Sequence, residues 1–214
     1  MSLRRDPFGL ALSHLRHQLA TGAIRPGQAL IIQDLAAELG LSPTPLREAL
    51  ARLAGEGLVE SRRGGGYRVW SADAVDLADL YEAHLCAVLS SLRLQVSEPA
   101  RRGASDELDI GEASPVGITE AAFDALARAC GNRVLIDWRR SLAQRLGWAR
   151  RVEGLVFDDV ADEARRLVRE LGEAADPTDQ ARTVAAFHRR RRDGAEFIAR
   201  ALRDLKMHEK IRPI

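Results

Sequence analysis

The chain has 214 residues, 32 of them Lys or Arg and 31 Asp or Glu, so its net charge of +1 identifies no charged partner for the molecule as a whole. This length allows one large domain or two of modest size. The charge is unevenly spread, because nine arginines but only six acidic residues precede Trp70. A local basic excess indicates a nucleic-acid face on one domain only.

No apolar run approaches the ~20 residues of a membrane-spanning helix, which excludes a protein of that kind. The N-terminal segment lacks a long apolar core followed by small residues, so we expect no secretory signal and a cytoplasmic location. Cys86 and Cys130 lie far apart in apolar helical patterns. They are interpreted as buried free thiols, with a redox pair or a metal site as the alternative.

The first predicted element is a helix over residues 8–22. Gly22 closes it and Arg25-Pro26-Gly27 follows as a turn, because glycine accepts the left-handed conformation of a helix end and proline does not continue a helix. The apolar side of this helix is formed by Leu10, Leu12, Leu15 and Leu19.

Two further helices joined by a tight turn are predicted at the start of the stretch Gln33–Val69. Gly40 closes the first of them. Thr44 is predicted as the N-cap of the second and Pro45 as its first residue, because proline has no N–H to be left unpaired. Arg47 lies in the first turn and off the apolar side, which is typical of a helix-turn-helix. The apolar side holds Leu46, Leu50 and Leu53.

A β-hairpin is predicted after these helices. Gly55-Glu56-Gly57 ends the last helix, Leu58–Glu60 is predicted as one strand and Tyr67–Trp70 as the returning strand. The tip, Arg62-Arg63-Gly64-Gly65-Gly66, combines charge with little side-chain bulk and therefore suits a phosphate backbone or a minor groove. A hairpin in this position makes the predicted fold a winged helix-turn-helix.

The run PLREALARLAGEGLVESRRGGGYRV resembles the DNA-binding domain of the GntR family of bacterial transcription regulators. Family members carry a run close to SRTPVREALRRLEAEGLVERRPGRGTFV. Thr44-Pro45, Arg47-Glu48-Ala49-Leu50 and Glu56-Gly57-Leu58-Val59 fall in register with it, and the resemblance covers Leu15 to Val69. It implies a DNA-binding domain over residues 1–72 and a role in transcription regulation.

Eight residues are the DNA contacts that the resemblance implies. Arg47 is expected to read a base, most simply by two hydrogen bonds to guanine, with an ion pair to a neighbouring acid on its helix as the alternative. Two arginines that usually contact DNA in the family are replaced here by Gln33 and Pro43, so the operator should differ from the family consensus. The eight are Gln33, Ser42, Thr44, Arg47, Arg52, Arg62, Arg63 and Gly65.

The remaining residues, 73–214, are predicted to form an all-α bundle. Residues 98–117 are rich in Pro, Gly, Ser and charge and are predicted as a loop. The fold class is therefore mostly α: a winged helix-turn-helix with a small β-hairpin, followed by a bundle of about five helices. Helical patterns cover residues 74–96, 118–130, 133–156, 158–173 and 177–206.

This second domain resembles the FCD ligand domain of the FadR-type branch of the family. Asp79-Leu80-Tyr81-Glu82 matches the opening of its first helix, and Ala121–Leu126 with Ala129–Asn132 matches a second motif. The resemblance implies dimerisation and an effector bound in the bundle core. An arginine that often faces the effector is replaced by His84, which would do part of its work.

The resemblance also implies a divalent metal held by one Asp and three His. The motif positions fall on Glu120, Asp124 and His188, and no histidine lies near Ala164, where another is usual. Carboxylates favour magnesium, calcium or manganese, whereas imidazoles favour zinc or nickel. A metal site of the usual type is therefore not expected, and a changed metal set is one alternative. The other is that Glu120 and Asp124 are solvated or paired with arginines and that His188 has a local hydrogen bond.

Arginines are dense in the predicted bundle. Most of those between Arg139 and Arg151 are expected on a solvated face, while one or two could point inward toward an organic anion. The run Arg189–Arg192 circles a full helical turn, so at least one member should face inward or pair with an acid.

We therefore expect a homodimeric regulator, most simply a repressor, that binds a palindromic DNA operator and responds to a small organic acid through its helical domain. The alternative is a ligand-independent regulator whose helical domain has lost metal and effector binding and serves only dimerisation or protein partners. An enzyme is not expected, because no nucleophile–base pair, phosphate loop or cofactor motif occurs. Gly64-Gly65-Gly66 lies in a hairpin rather than at a helix start.

Overall fold

The computed structural model describes residues 6–97, 113–174 and 176–207 of the chain. It contains two compact units. The first extends to Ala72 and the second from Asp73 to Arg203, with the described residues from Asp204 grouped with the first. Among the described residues, no helix has both the length and the hydropathy that crossing a bilayer requires.

The first unit is a winged helix-turn-helix, as predicted. Its elements are α1 (Pro7–Thr21), β1 (Ala29–Leu30), α2 (Ile32–Leu39), α3 (Pro43–Gly55), β2 (Val59–Ser61) and β3 (Tyr67–Val69). The strands form an antiparallel sheet with β3 in the centre, where Val59 pairs with Val69 across the hairpin and Leu30 pairs with Tyr67 on the other edge. Strand β1 was not predicted, because two residues are too few to show an alternating pattern.

The core of this unit forms between α1, α3 and the sheet. Leu15 of α1, Leu50 and Leu53 of α3, and Val59 and Val69 of the hairpin are almost fully buried. Residues three and four apart share one face of a helix. Burying that face of α3 therefore leaves its opposite face to solvent.

Helix α3 begins earlier than predicted. Thr44 was the predicted N-cap, but Pro43 is already helical and Ser42 has the extended backbone of an N-cap, with φ −73° and ψ 161°. Pro43 suits the first helical position because it has no N–H. Thr44 consequently projects from the first turn of α3 instead of capping it.

The second unit is an all-α bundle over its described residues, as predicted. Its helices are α4 (Ala74–Ser97), α5 (Pro115–Ala129), α6 (Arg133–Val152), α7 (Val160–Glu173), α8 (Pro177–Asp193) and α9 (Ala195–Met207). A short 3-10 turn, Glu153–Leu155, follows α6. Helix α4 packs against α5, α6 and α8, and the core gathers Val88, Phe123, Val184 and Phe187 around these contacts.

The last predicted helix is in fact two helices. Helix α8 ends at Asp193 and α9 begins at Ala195, with Gly194 between them. A Cβ atom on Gly194 would lie 2.8 Å from Cζ of Phe157, so only a residue without a side chain passes this ring at that distance. The apolar spacing continues across the break, which is why the sequence predicted one helix.

Two other predictions are corrected. Helix α5 begins inside the predicted loop 98–117, because Oγ of Ser114 accepts a hydrogen bond from the Gly117 N–H at 3.2 Å and caps it. Residues 98–112 of that loop lie outside the described residues. Cys130 is buried, but Cys86 is exposed, and both are free thiols.

Candidate functional site

All eight residues predicted to contact DNA are exposed. They lie on α2, on α3 with the residue before it, and at the tip of the β2–β3 hairpin. The set is Gln33 on α2; Ser42, Thr44, Arg47 and Arg52 at α3; and Arg62, Arg63 and Gly65 at the tip.

Ion pairs engage several arginines of the first unit. Arg16 and Arg52 both approach Oε1 of Glu56, each at 2.7 Å, and Arg68 approaches Glu60 at 2.6 Å. Burial works to raise the pKa of Glu56, but the two guanidinium groups outweigh it and hold that pKa below its usual value. Arg52 therefore reaches DNA only by leaving Glu56.

Three arginines remain available. The guanidinium groups of Arg47, Arg62 and Arg63 take part in no hydrogen bond or ion pair within the part of the chain that the structure describes. The ion pair that was the alternative for Arg47 is thus not formed there. These three exposed cations lie on the first turn of α3 and on the hairpin tip, the two places that the predicted interface requires.

The first turn of α3 presents the cationic side chain of Arg47 and few backbone donors. The hydroxyl of Ser42 makes no capping bond to the helix, and Pro43 and Pro45 remove two of the backbone N–H groups that a helix N-terminus usually presents. Fewer donors from the backbone leave more of the recognition to side chains. Thr44 and Arg47 are the exposed polar side chains on this turn.

Three successive glycines shape the hairpin tip. Gly64, Gly65 and Gly66 have φ of 97°, 97° and 84°, values that residues with side chains rarely adopt. The Arg62 N–H donates to the Gly66 carbonyl and the Gly65 N–H to the Arg62 carbonyl, both at 3.0 Å. Apart from the adjacent residues of each glycine, no atom of the described chain lies within 4 Å of the Cβ positions of these glycines. The tip is therefore a narrow, open piece of backbone beside two free guanidinium groups.

The structure brings His84 on α4 and His188 on α8 together in the bundle core. Nδ1 of His84 lies 2.8 Å from Nε2 of His188, whose own Nδ1 lies 2.7 Å from the Val184 carbonyl. A carbonyl only accepts, so His188 carries its proton on Nδ1 and its Nε2 accepts from Nδ1–H of His84. Nε2 of His84 then holds a buried lone pair without a partner among the described residues.

Both histidines are neutral. Burial lowers the pKa of His84 well below its usual value, and the nearby Arg150 lowers it further. Burial also lowers the pKa of His188 to about 3, against the opposing effect of its bond to Val184. The pair is a chain of hydrogen bonds that ends on a backbone carbonyl.

Glu120 and Asp124 on α5 pair with arginines of α6. Arg139 donates to Oε2 of Glu120 at 3.0 Å and to Oδ1 of Asp124 at 2.6 Å, and Nη1 of Arg150 lies 2.6 Å from Oε1 of Glu120. Burial works to raise the pKa of Asp124, but Arg139 and Arg128 hold it below its usual value. Both carboxylates are thus engaged by guanidinium groups.

The metal set that the resemblance implies does not fit these contacts. Two of its members are bound to arginines, and Nε2 of His188 faces an imidazole N–H. Among the described residues, no three His, Cys, Asp or Glu side chains form a group that could hold a metal ion. These contacts are those of the alternative interpretation, in which the two carboxylates pair with arginines and His188 has a local hydrogen bond.

The prediction that one arginine of the run Arg189–Arg192 faces inward or pairs with an acid is confirmed by Arg191, but the buried ionic network that it forms was not predicted. Arg191 donates to Oε2 of Glu153 from Nε at 3.0 Å and from Nη2 at 2.9 Å, and Nη2 also donates to Glu163 at 2.7 Å. The Tyr81 hydroxyl donates to Oε1 of Glu153 at 2.7 Å. Cζ of Arg191 lies 3.3 Å from the ring centre of Phe187. The four-arginine run was the only signal, and nothing in the sequence marked the partners.

Comparison with known proteins places residues 11–69 in the family model of bacterial regulatory proteins, gntR family. The Nta operon transcriptional regulator of Aminobacter aminovorans is 30% identical over 141 residues, 60% of this chain and 66% of that protein. The transcriptional repressor GlaR of Escherichia coli K12 is 28% identical over 157 residues, 64% of this chain and 71% of that protein. These relatives are transcription regulators, not enzymes. The aligned part of this chain covers 18% of the length of one of these curated relatives and 71% of another.

A solved structure shares the fold. A transcriptional regulator GntR from Rhodococcus sp. RHA1 superposes with a TM-score of 0.63, covering 88% of this chain and 96% of that one at 18% identity. At this level of identity the likeness concerns the fold alone.

Proposed function

We propose a function from one premise: through residues 11–69, this chain belongs to the GntR family of bacterial regulatory proteins. In this proposal it is a DNA-binding regulator of transcription, most simply a repressor, that acts in the cytoplasm on a palindromic operator as a homodimer. Residues 1–72 bind DNA. Residues 73–214, as an FCD-type domain, dimerise and sense a small organic acid.

The observation that carries the proposal is the free state of Arg47, Arg62 and Arg63. Phosphate and base contacts need guanidinium groups that the protein has not already paired, since breaking an internal ion pair offsets the gain. Arg52 is less favourable for this reason, because Glu56 holds it at 2.7 Å. Arg47 is therefore assigned base readout, and the hairpin tip is assigned the phosphate backbone or a minor groove.

Dimerisation and repression have weaker but specific support. Two identical DNA-binding domains related by a two-fold axis recognise inverted half-sites, which is the reason to propose a palindromic operator. Val134 and Trp138, one turn apart on α6, are 77% and 42% exposed, and exposed apolar side chains of this kind favour a partner surface. GlaR is named a repressor, which supports the same sign of regulation here.

A second candidate function is ligand-independent DNA binding, with the second unit serving only dimerisation or protein partners. The contacts of Glu120 and Asp124 favour it, because both carboxylates are engaged by arginines. A metal-dependent effector would have to displace those arginines first. The two candidates differ in whether any small molecule changes the stability of the folded chain.

The test of DNA binding uses the full chain and the DNA upstream of its own gene, with binding followed by fluorescence anisotropy. Arg47→Ala should weaken sequence-specific binding roughly 10- to 100-fold, since one bidentate arginine–guanine contact discriminates by about 1–3 kcal/mol. Arg62→Ala and Arg63→Ala should each weaken binding to all sequences and lower the salt dependence by about one unit of slope.

The matched control is Arg189→Ala, which removes an exposed arginine of the second unit and should bind as the wild type does. Scrambled DNA of equal length measures non-specific binding. If Arg47→Ala retains full affinity and sequence preference, α3 does not read the operator and the proposal is wrong.

A further inference from the structure

We infer that Glu56 limits how strongly this chain binds the phosphate backbone of DNA, by holding the guanidinium group of Arg52 away from it. This inference rests on the proposed DNA binding through α3, and it adds a residue that sets the affinity without touching DNA. Glu56 is thus a positioning residue, because it acts through the arginine that it binds.

Arg52 lies on the side of α3 that faces solvent. With 3.6 residues per turn, Arg47 and Arg52 are about 140° apart around the helix axis, and the exposed residues Thr44 and Ala51 lie between them. The two arginines therefore mark the two borders of the exposed side. A recognition helix in the major groove has a phosphate backbone along each border, so an unrestrained Arg52 would reach phosphate.

One carboxylate oxygen holds Arg52. Nε of Arg52 donates to Oε1 of Glu56 at 2.7 Å, and Nη2 of Arg16 on α1 donates to the same oxygen at 2.7 Å. The side chain of Glu56 is only 18% exposed, whereas that of Arg52 is 64% exposed. Charge-assisted bonds to a partly buried carboxylate are strong and are screened less by salt than exposed pairs are. The phosphate groups of DNA must compete with this bond for Arg52.

The backbone fixes Glu56 at the end of α3. Its N–H donates to the Arg52 carbonyl at 3.1 Å, and the Leu58 N–H donates to the Leu53 carbonyl at 3.0 Å, which closes the helix end. Arg16 holds the carboxylate from the neighbouring helix. The position of Glu56 is therefore set by the fold and does not depend on Arg52.

The charges of these side chains give the size of the effect. Burial works to raise the pKa of Glu56, but Arg16 and Arg52 hold it below its usual value, so the carboxylate is ionised at neutral pH. Two guanidinium groups share this one negative charge. Replacing the carboxylate by a neutral amide would leave two uncompensated cations in place of one. Each further phosphate that a protein neutralises adds about 0.9 to the slope of log K against log salt.

The restraint acts on DNA of every sequence. Phosphate contacts carry no sequence information, so withholding Arg52 weakens binding to operator and to unrelated DNA by the same factor. The sequence preference itself remains with Arg47. A lower affinity for unrelated DNA leaves a larger fraction of the protein free to exchange between sites.

The experiment is fluorescence anisotropy of the full chain with operator DNA and with scrambled DNA of equal length, at several salt concentrations. Glu56→Gln should bind both DNAs about 5- to 10-fold more tightly near ~0.1 M salt, with a salt slope steeper by about one unit. A merely structural role of Glu56 would not produce this result, because damage to the fold weakens binding.

The matched control is Glu38→Gln, which raises the net charge by the same amount. Glu38 pairs with His14 at 3.4 Å and with no arginine of the described chain, so its loss frees no guanidinium group and should leave the salt slope unchanged. Arg52→Met completes a double-mutant cycle with Glu56→Gln. It should weaken binding at most about two-fold in the wild type but about 5- to 10-fold in Glu56→Gln.

The wild-type protein provides a second measurement that does not depend on whether a variant folds. Labelling arginine with 15N makes the Nε–H signals visible by NMR, and those of Arg47 and Arg52 are assigned from the spectra of Arg47→Ala and Arg52→Met. Addition of operator DNA should shift the Arg47 signal and leave the Arg52 signal in place, because Arg52 remains on Glu56.

Three results would overturn the inference: a folded Glu56→Gln binds DNA with unchanged or lower affinity, its gain persists in the double variant, or the Arg52 signal moves together with that of Arg47. Wild-type binding is measured in the same series. If the wild type prefers operator to scrambled DNA while one of these results holds, Glu56 does not restrain Arg52 and the DNA-binding function stands. If the wild type shows no preference and Arg47→Ala behaves in the same way, the proposed function itself has failed.

Discussion

At the scale of single residues, the stability of the second unit depends on two histidines that remain neutral. His84 and His188 have lower pKa values in the folded chain than the usual ~6.5 of an unfolded one. Below that pH the unfolded chain binds more protons, so the free energy of unfolding falls as the pH drops from about 6.5 toward the folded pKa of His188, about 3. His188 should remove about 2 kcal/mol by pH 5, and His84 acts in the same direction.

This prediction is checked by urea unfolding between pH 7 and pH 5. His84→Gln removes one of the two protonation sites, so its stability should fall less steeply than that of the wild type over this range. His17→Gln removes an exposed histidine of the first unit and should follow the wild-type curve. Carboxylates with lowered pKa, such as Asp124, change the free energy of unfolding only below about pH 4.5, so they do not affect this comparison. Parallel curves of stability against pH for wild type and His84→Gln would show that this histidine pair does not cause the loss of stability.

At the scale of elements, two glycines of the bundle should respond in opposite directions to the same substitution. Gly194→Ala should destabilise the chain by about 1–3 kcal/mol, because the new Cβ would lie 2.8 Å from Cζ of Phe157. Gly147 lies inside α6, and apart from its chain neighbours and the nearby backbone of α6 no described atom lies within 4 Å of its Cβ position. Gly147→Ala should therefore stabilise by about 0.5–1 kcal/mol through helix propensity.

The pair is measured by denaturant unfolding of both variants beside the wild type. Each protein serves as the control of the other, since the chemical change is identical. Stabilisation by both substitutions would mean that the ring of Phe157 moves aside easily and that the α8–α9 break does not depend on the missing side chain.

The elements that the sequence predicted are those with a strong period. The leucines of α3 and the long apolar pattern of α4 fix a buried face whatever their partners are, and both helices were found. The break at Gly194 was not predicted, because it depends on a ring 37 positions earlier in the chain, Phe157. The predicted start of α3 was placed at the second of two prolines, whereas the helix begins at the first. Either proline suits the first turn of a helix, so the sequence did not decide between them.

The candidate sites divide in the same way. Exposure of Arg47 and of the hairpin tip follows from local pattern and was predicted from sequence. The engagement of Arg139 by Glu120 and Asp124, and of Arg150 by Glu120, depends on how α5 meets α6. One sequence gives the charges but not the packing of helices that decides which charges meet.

At the scale of the whole molecule, operator and small-molecule effector should influence each other by the same factor. Linkage requires that a ligand which weakens DNA binding be weakened equally by DNA. Anisotropy with and without a small organic acid, and titration of that acid with and without operator, give the two factors independently. A factor of one in both experiments would mean that this acid does not regulate the DNA-binding unit.

The network of Tyr81, Glu153, Glu163 and Arg191 has a consequence for the time that the bundle needs to form. Its hydrogen bonds join residues 28 to 72 positions apart in the chain, so the helices must form before these bonds can close. Contacts between distant residues slow folding, and a buried charge that loses its partner while still buried is strongly destabilised. The same bonds must break early when the bundle opens. The second unit should accordingly unfold slowly, so that its lifetime in the cell is set by a barrier as well as by an equilibrium.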